Sequence, residues 1–355
     1  MPPSSRARRV VSRTTGAVAT AVAAVAVVAT TLSVSGGPSA DLVPTGAPGT
    51  ALVEDPQVLV ISLDGFNPTA LRRLGRSGAP NLWRLFDEGA GTLDARTQVE
   101  RTITLPNHTS MVTGRRIDRK KGGHGVTWND DRLTPRTVQK AAGHAVSSLF
   151  SRVHASHGST ALYAAKTKFS LWDRSWPTAI DKVVIHAEDD AQVVADARID
   201  LVDDDRALTF VHLGSADKAG HASGWLSPAY LTAVERLDAL VGSVLTDADT
   251  APELADLTVI VTADHGGVPG AKAHDAVRRP ANFTIPFVVW GSGIDHADLY
   301  AINPGYRKPG RKQQPPLTGK QPIRNGNVAN LALDLLGYPR VPGSIFGKVT
   351  PLEVE

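Results

Sequence analysis

Seven side chains carry the chemistry open to this sequence: Asp64, Thr104, Asp217, His221, Asp264, His265 and His274. None of its 355 residues is Cys, so disulfides and thiolate-held metals are excluded and any nucleophile is an oxygen or a nitrogen. Thr104 opens the stretch Thr104-Leu105-Pro106-Asn107-His108. Pro106 suits a first helical turn, where its missing N–H is no loss, and 107–113 reads as a short helix ended by Gly114. The spacing puts Thr104 just ahead of a helix N-terminus, where free N–H groups and the dipole favour an anion such as phosphate. A hydroxyl held there could attack phosphorus once a metal lowers its pKa. Taken alone, such a stretch is more often an ordinary Thr before a Pro-started helix.

The carboxylates and imidazoles supply the metal. Asp64 and Asp264 follow the apolar runs 58–63 and 257–262, and Asp217 follows 208–213 after a Gly214-Ser215-Ala216 turn. In open α/β sheets the ligand site lies beyond the carboxyl ends of the strands. Three unpaired carboxylates there would repel one another; a divalent cation resolves that. Asp217 and His221, four apart, share one side of a helical turn or tight loop, and Asp264 and His265 are adjacent at a strand end. His274 arrives after Gly266, Gly267 and Gly270, which let a loop fold back. Oxygen and nitrogen donors without Cys fit zinc in a catalytic site. Singly, each Asp has a plainer reading as a cap or turn former; their joint occurrence does not.

The elements that must position these groups alternate. Apolar strands at 58–63, 92–99, 161–165, 208–213, 257–262 and 285–290 are separated by helical patterns at 67–76, 79–88, 135–154, 189–202, 228–245 and 328–336. Thr134 is the expected cap of 135–154, and Leu231, Val234, Leu237, Leu240 and Val241 form one face of 228–245. The alternation predicts an α/β fold with a mainly parallel central sheet and helices on both faces, as a single zinc hydrolase domain over 56–355. Residues 41–55 read as an extended linker. Before it, Arg6, Arg8, Arg9 and Arg13 precede a small-residue apolar run at 17–32, the layout of a secretory signal. Arg8-Arg9 is a partial twin-arginine pattern, and an uncleaved signal anchor is the alternative. The expected location is outside the cell or in its envelope, with membrane attachment only if the segment stays uncleaved. The net charge of +3 comes from those four arginines, which leave 34 basic against 35 acidic residues in the body. Specific nucleic-acid binding is therefore not expected.

Together these pieces resemble the alkaline phosphatase superfamily, and within it the type I phosphodiesterase/nucleotide pyrophosphatase branch. The matching motifs are Leu63-Asp64-Gly65-Phe66, Pro80-Asn81-Leu82, Thr104-Leu105-Pro106-Asn107-His108, His124-Gly125-Val126, Asp217-Lys218-Ala219-Gly220-His221, Asp264-His265-Gly266-Gly267 and His274, spread over 57–347. The resemblance implies an alkaline-phosphatase-like fold and two zinc ions. One ion would be held by Asp217, His221 and His274, the other by Asp64, Asp264 and His265 with Thr104 as nucleophilic ligand. Asn107 would bind a nonbridging phosphate oxygen, and His108 would buttress the nucleophile helix. The implied reaction is hydrolysis of a phosphodiester or pyrophosphate bond in a small phosphate-ester or nucleotide-like substrate, through a phospho-threonine. A phosphomonoesterase on the same site, recruiting Arg101, Lys120 and Lys121, is the alternative. A non-catalytic zinc-binding envelope protein is less expected, because no metal-facing residue is missing. The basic loop carrying Arg307, Lys308, Arg311, Lys312, Lys320 and Arg324 reads as solvated surface.

Overall fold

Short apolar runs with little polar alternation suit strands covered on both faces, and three of them build the centre of the sheet. The computed structural model describes residues 56–310 and 312–355; the expected signal, the linker and Arg311 lie outside the described residues. Eight strands form one sheet: β1 Gln57–Leu63, β2 Ala90–Arg96, β3 Thr160–Ala164, β4 Lys182–Ile185, β5 Leu208–Leu213, β6 Leu257–Thr262, β7 Thr284–Gly291 and β8 Ala297–Asp298. Their spatial order is β4-β3-β5-β1-β6-β7-β2-β8. Every residue of β1, β5 and β6 is buried.

The three central strands run parallel, with Ser62 of β1 opposite His212 of β5 and Thr262 of β6. They therefore end at one edge, and the residues that follow them emerge together. β3 and β4 continue the parallel half, whereas β7 runs antiparallel to both β6 and β2. The sheet is thus mostly parallel, as expected. On one face the helices Thr69–Gly78, Pro80–Glu88 and Asp190–Asp203 pack on the long helix Pro228–Thr250; on the other, Thr104–Thr113, Leu149–Ala155 and Val328–Leu335 pack on one another. Asp238 of the long helix accepts the Leu82 N–H at 2.7 Å and the Asn81 amide at 2.8 Å, which explains the Pro80-Asn81-Leu82 element as a helix-start clamp.

Three expectations change. The helix expected over 135–154 is two short ones, Val138–Ala142 and Leu149–Ala155. Gly143, at φ 77°, ends the first and Ser148 caps the second, so local capping overrides the shared periodicity. The helix expected from 107 begins at Thr104 itself, because Ile103 is already extended and Asn107 N–H reaches back to its carbonyl. Arg324, read as part of a solvated loop, is fully buried and donates to the carbonyls of Thr97 and Pro315 at 2.8 and 2.6 Å. Burial pulls its guanidinium down to about 9. Among the described residues no helix is long and apolar enough to cross a membrane.

Candidate active site

The edge where β1, β5 and β6 end gathers all the metal-type side chains. Asp64 is the first residue after β1, and Asp264 and His265 follow β6. Asp217 and His221 lie one turn apart in the helix Ser215–Ser223, which places both on one side. His274 is delivered by the loop after β6. That loop is held by Trp225, whose N–H donates to Ala271 O and whose carbonyl accepts Gly270 N–H. Trp225 Nε1 and Tyr230 Oη each donate to Gly65 O at 2.8 Å. Gly65 itself needs to be glycine: its φ is 69°, and a Cβ there would lie 2.8 Å from Asp217 Cα.

Each carboxylate has one oxygen anchored and the other free. Asp64 Oδ2 receives Lys166 Nζ at 2.6 Å and His212 Nε2 at 2.9 Å. Asp217 Oδ2 receives the same Lys166 Nζ at 2.7 Å. Asp264 Oδ1 accepts the Gly65 and His265 N–H groups at 3.0 and 2.9 Å. The opposite oxygens, Asp64 Oδ1, Asp217 Oδ1 and Asp264 Oδ2, are buried without a hydrogen-bond partner, and so is His265 Nε2. His265 Nε2 lies 3.4 Å from Asp64 Oδ1, 3.8 Å from Asp217 Oδ1 and 3.2 Å from Asp264 Oδ2. Asp217 Oδ1 is 3.4 Å from His221 Nε2 and 3.7 Å from His274 Nε2, and those two nitrogens are 3.2 Å apart. Donors about 2.0–2.1 Å from a tetrahedral ion stand roughly 3.3 Å from one another. The free atoms therefore have the spacing of coordination shells. Two groups could each hold an ion: Asp217, His221 and His274, and Asp64, Asp217 and His265. Asp264 Oδ2 opens onto the second of them.

The electrostatics agree. Burial would raise the Asp64 carboxyl, but Lys166 and His212 outweigh it and hold it well below the ordinary range. Asp264 is driven well above that range, by burial first and then by Asp64 and Asp217. A dication would reverse that, since it competes directly with the proton. Burial also pulls His265 down to about 3, helped by the neighbouring His274, and lowers His274 as well. Both shifts favour the neutral imidazole, the form a metal needs. Each has its Nδ1 fixed by a carbonyl, Gly266 O at 2.9 Å and Thr102 O at 2.6 Å, which aims Nε2 into the cluster. His221, with Nδ1 on Lys272 O, is the exposed member through which the cluster meets solvent.

Thr104 is the first residue of its helix and is buried. His108 donates through Nδ1 to Thr104 O at 2.9 Å and accepts from Ser62 Oγ at 2.8 Å, so it ties the Thr104 backbone to β1, two residues before Asp64. Asn107 stands elsewhere. Its Oδ1 accepts Gln98 N–H and Asn325 Nδ2, and its Nδ2 donates to Arg101 O and Ile103 O. Both amide hydrogens of Asn107 are thus engaged by carbonyls of the segment that leads into its own helix, away from the Thr104 hydroxyl. Asn129 is the amide that faces the Thr104 hydroxyl: its Nδ2 is 3.5 Å from Thr104 Oγ1, and its Oδ1 accepts Leu105 N–H at 2.9 Å. Lys168 Nζ holds Asn129 by its carbonyl at 2.9 Å.

Sequence reasoning missed Lys166, Asn129 and His212. Lys166 follows β3 by two residues, so the strand-end rule that selected the aspartates would have found it. His212 is the one ionisable residue inside the apolar β5 run. Asn129 lies in no pattern.

The sequence profile described as "Type I phosphodiesterase / nucleotide pyrophosphatase" matches residues 58–315. Among solved structures, murine ectonucleotide pyrophosphatase/phosphodiesterase 5, in an inactive form in complex with AMP, superposes with a TM-score of 0.58 at 15% identity, over 81% of this chain and 96% of that one. The human enzyme of the same name gives 0.59 at 13%, again over 81% and 96%. The lipoteichoic acid synthase LtaP from Listeria monocytogenes gives 0.56 at 14%, over 82% and 74%. A search of curated proteins found no match.

Proposed function

The chain belongs to the type I phosphodiesterase/nucleotide pyrophosphatase family, and on that premise we propose that it hydrolyses phosphodiester or pyrophosphate bonds through a phospho-threonine on Thr104. The observation that carries this reading is the convergence of four buried, unpartnered metal-type atoms, Asp64 Oδ1, Asp217 Oδ1, Asp264 Oδ2 and His265 Nε2, with the helix start at Thr104 linked to them through His108, whose Nδ1 is 2.9 Å from Thr104 O and 3.5 Å from Asp264 Oδ2. We assign one zinc ion to Asp217, His221 and His274 and a second to Asp64, Asp264 and His265; the first triad and the Asp64–His265 pair of the second lie in groups whose ligand atoms are close enough to share an ion, and Asp264 Oδ2 is 3.2 Å from His265 Nε2. Bound there, zinc would supply Lewis-acid charge that acidifies the Thr104 hydroxyl and neutralises the departing oxygen.

The chain's own groups do the rest. Thr104 Oγ1 forms the new bond to phosphorus as the bond to the leaving oxygen breaks, and water later cleaves the threonine ester. Asn129 Nδ2, rather than Asn107, donates to a nonbridging oxygen, and Lys168 keeps its amide turned to the nucleophile. His108 holds the Thr104 backbone still. Lys166 fixes Asp64 and Asp217 so that their free oxygens keep facing inward. AMP in the murine relative points to nucleotide-like substrates for this chain. Residues 1–40 would export the enzyme, which N-terminal sequencing of the fractionated product would check.

The test is the hydrolysis of bis-p-nitrophenyl phosphate and p-nitrophenyl phosphate, side by side, by zinc-loaded residues 41–355 and by Thr104→Ala. Preference for the diester, lost in the variant, supports the proposal. Preference for the monoester moves the enzyme to the phosphatase side. Absence of variant-sensitive activity on either, with zinc bound, contradicts the reading.

A further inference from the structure

Two basic stretches that the catalytic reading leaves unused meet at one place. The segment after the nucleophile helix supplies Arg116 and Lys121, and the loop between 303 and 324 supplies Lys312. Both line a cavity of about 690 Å³, which Arg278 also enters. No carboxylate lines it among the described residues. Arg116 Nε donates to Glu100 Oε1 at 2.8 Å, while Lys121, Arg278 and Lys312 have no carboxylate within ion-pair distance among the described residues. In a body whose charge is balanced, four cations around one hollow are a local excess. Their backbone is not a loose tail: buried Arg324 and Arg96 pin the Lys312 loop to the sheet through Pro315 O and Gln313 O.

The cavity adjoins the catalytic edge. Its wall residue Val277 is three positions from His274, a reach of at most roughly 11 Å. Its wall residue Val99 belongs to the strand exit that continues into Thr104, and that exit is tied to His274 by Thr102 Oγ1 donating to His274 O at 2.5 Å. Buried Phe283 contributes an apolar surface beside the cations. Guanidinium and ammonium groups around a part-apolar hollow suit a phosphate joined to a carbon framework.

Building on the proposed phosphodiesterase reaction, we infer that this cavity binds a second phosphate group of the substrate, so that the preferred substrates carry a phosphate beyond the scissile one. Arg278 and Lys312 are the principal contacts. The ligand is a small bisphosphate rather than a nucleic-acid duplex, because the cations are confined to one hollow and do not form a stripe.

Two measurements test it. In the first, the zinc-loaded enzyme is given the p-nitrophenyl ester of thymidine 5′-phosphate and the same ester carrying a 3′-phosphate. The wild type should show a KM at least about tenfold lower for the bisphosphate, an advantage that fades in high salt. Arg278→Glu with Lys312→Glu should abolish that advantage and leave hydrolysis of the simple ester within about twofold. In the second, tripolyphosphate binding to metal-free protein is followed by calorimetry, which needs no catalysis. Wild type should bind one equivalent and the double variant at least about tenfold more weakly. Equal KM values for the two esters together with tripolyphosphate binding that ignores the double substitution would overturn the inference. Variant-sensitive tripolyphosphate binding without hydrolysis of either ester would instead sink the phosphodiesterase reading and leave the anion site standing.

Discussion

Lys166 is where single-residue physics is most exposed. Its ammonium sits on the outer oxygens of Asp64 and Asp217 and leaves the inner ones free. In the metal-free chain it is the counter-charge that makes the burial of those carboxylates tolerable. Lys166→Met should lower the metal-free melting temperature by on the order of 10 °C, since an unpaired buried charge costs about 3–5 kcal/mol. Zinc should restore most of that loss, so the zinc-induced shift becomes larger in the variant than in the wild type. Thermal melts with chelator and with zinc check it, and equal shifts would deny Lys166 that part. The two asparagines make a second contrast. Asn129→Ala should lower kcat/KM about a hundredfold at nearly constant stability, as expected for a donor to a reacting phosphate. Asn107→Ala should destabilise by about 2–4 kcal/mol, because it strips partners from several buried groups. Paired kinetics and melts separate the two. The aspartates and histidines that the structure brings together could be picked out in the sequence because Asp64, Asp217, Asp264 and His265 lie just beyond apolar runs, with His221 one helical turn and His274 one loop further on. Asn107 lies close to Thr104 in sequence, yet its amide donates to Arg101 O and Ile103 O, because three positions into a helix a side chain turns back to the helix start.

At the scale of elements, the site is a junction of three strand ends, one helix start and one returning loop. Gly65 is the tightest point of that junction. Gly65→Ala would force a Cβ onto Asp217 in a left-handed backbone, so metal affinity should fall at least tenfold while the circular dichroism stays native. Competition with a chromophoric chelator measures it, and unchanged affinity would show that the Gly65–Asp217 approach is not what sets the cluster. The strands that carry the site were readable because they are continuous apolar runs. The break in 135–154 was not, because Gly143 and Ser148 act through capping geometry that a hydrophobic period does not encode. The short edge strands β4 and β8 were missed for a related reason: half-buried pieces of four and two residues hardly differ in composition from loop.

For the whole molecule, buried neutral imidazoles make stability depend on pH. Burial holds His124, which is hydrogen-bonded to Ser110 and Val126 and belongs to neither group of metal-type ligands, at about 3. Its folded value lies below the unfolded one of about 6.5, so between these values the unfolded chain binds more protons and stability rises with pH. Acidification from pH 7 to 5 should cost about 2 kcal/mol through this residue alone. His124→Gln should flatten that slope in denaturant titrations, and a slope unchanged by the substitution would assign the acid sensitivity elsewhere. The chain-wide order of strands and helices was legible because alternation implies a layered α/β sheet; the reversal of β7 was not, since a buried strand reads the same in either direction. The central claim is that six side chains, from the ends of β1 and β6, the helix after β5 and the loop after β6, form two adjacent ion sites in front of Thr104. It is tested most directly by anomalous diffraction at the zinc edge from crystals grown with zinc. Two peaks roughly 4 Å apart, one within Asp217, His221 and His274 and the other within Asp64, Asp264 and His265, are predicted. A single peak, or zinc bound only away from these residues with Lys166 still the sole cation between Asp64 and Asp217, would contradict it.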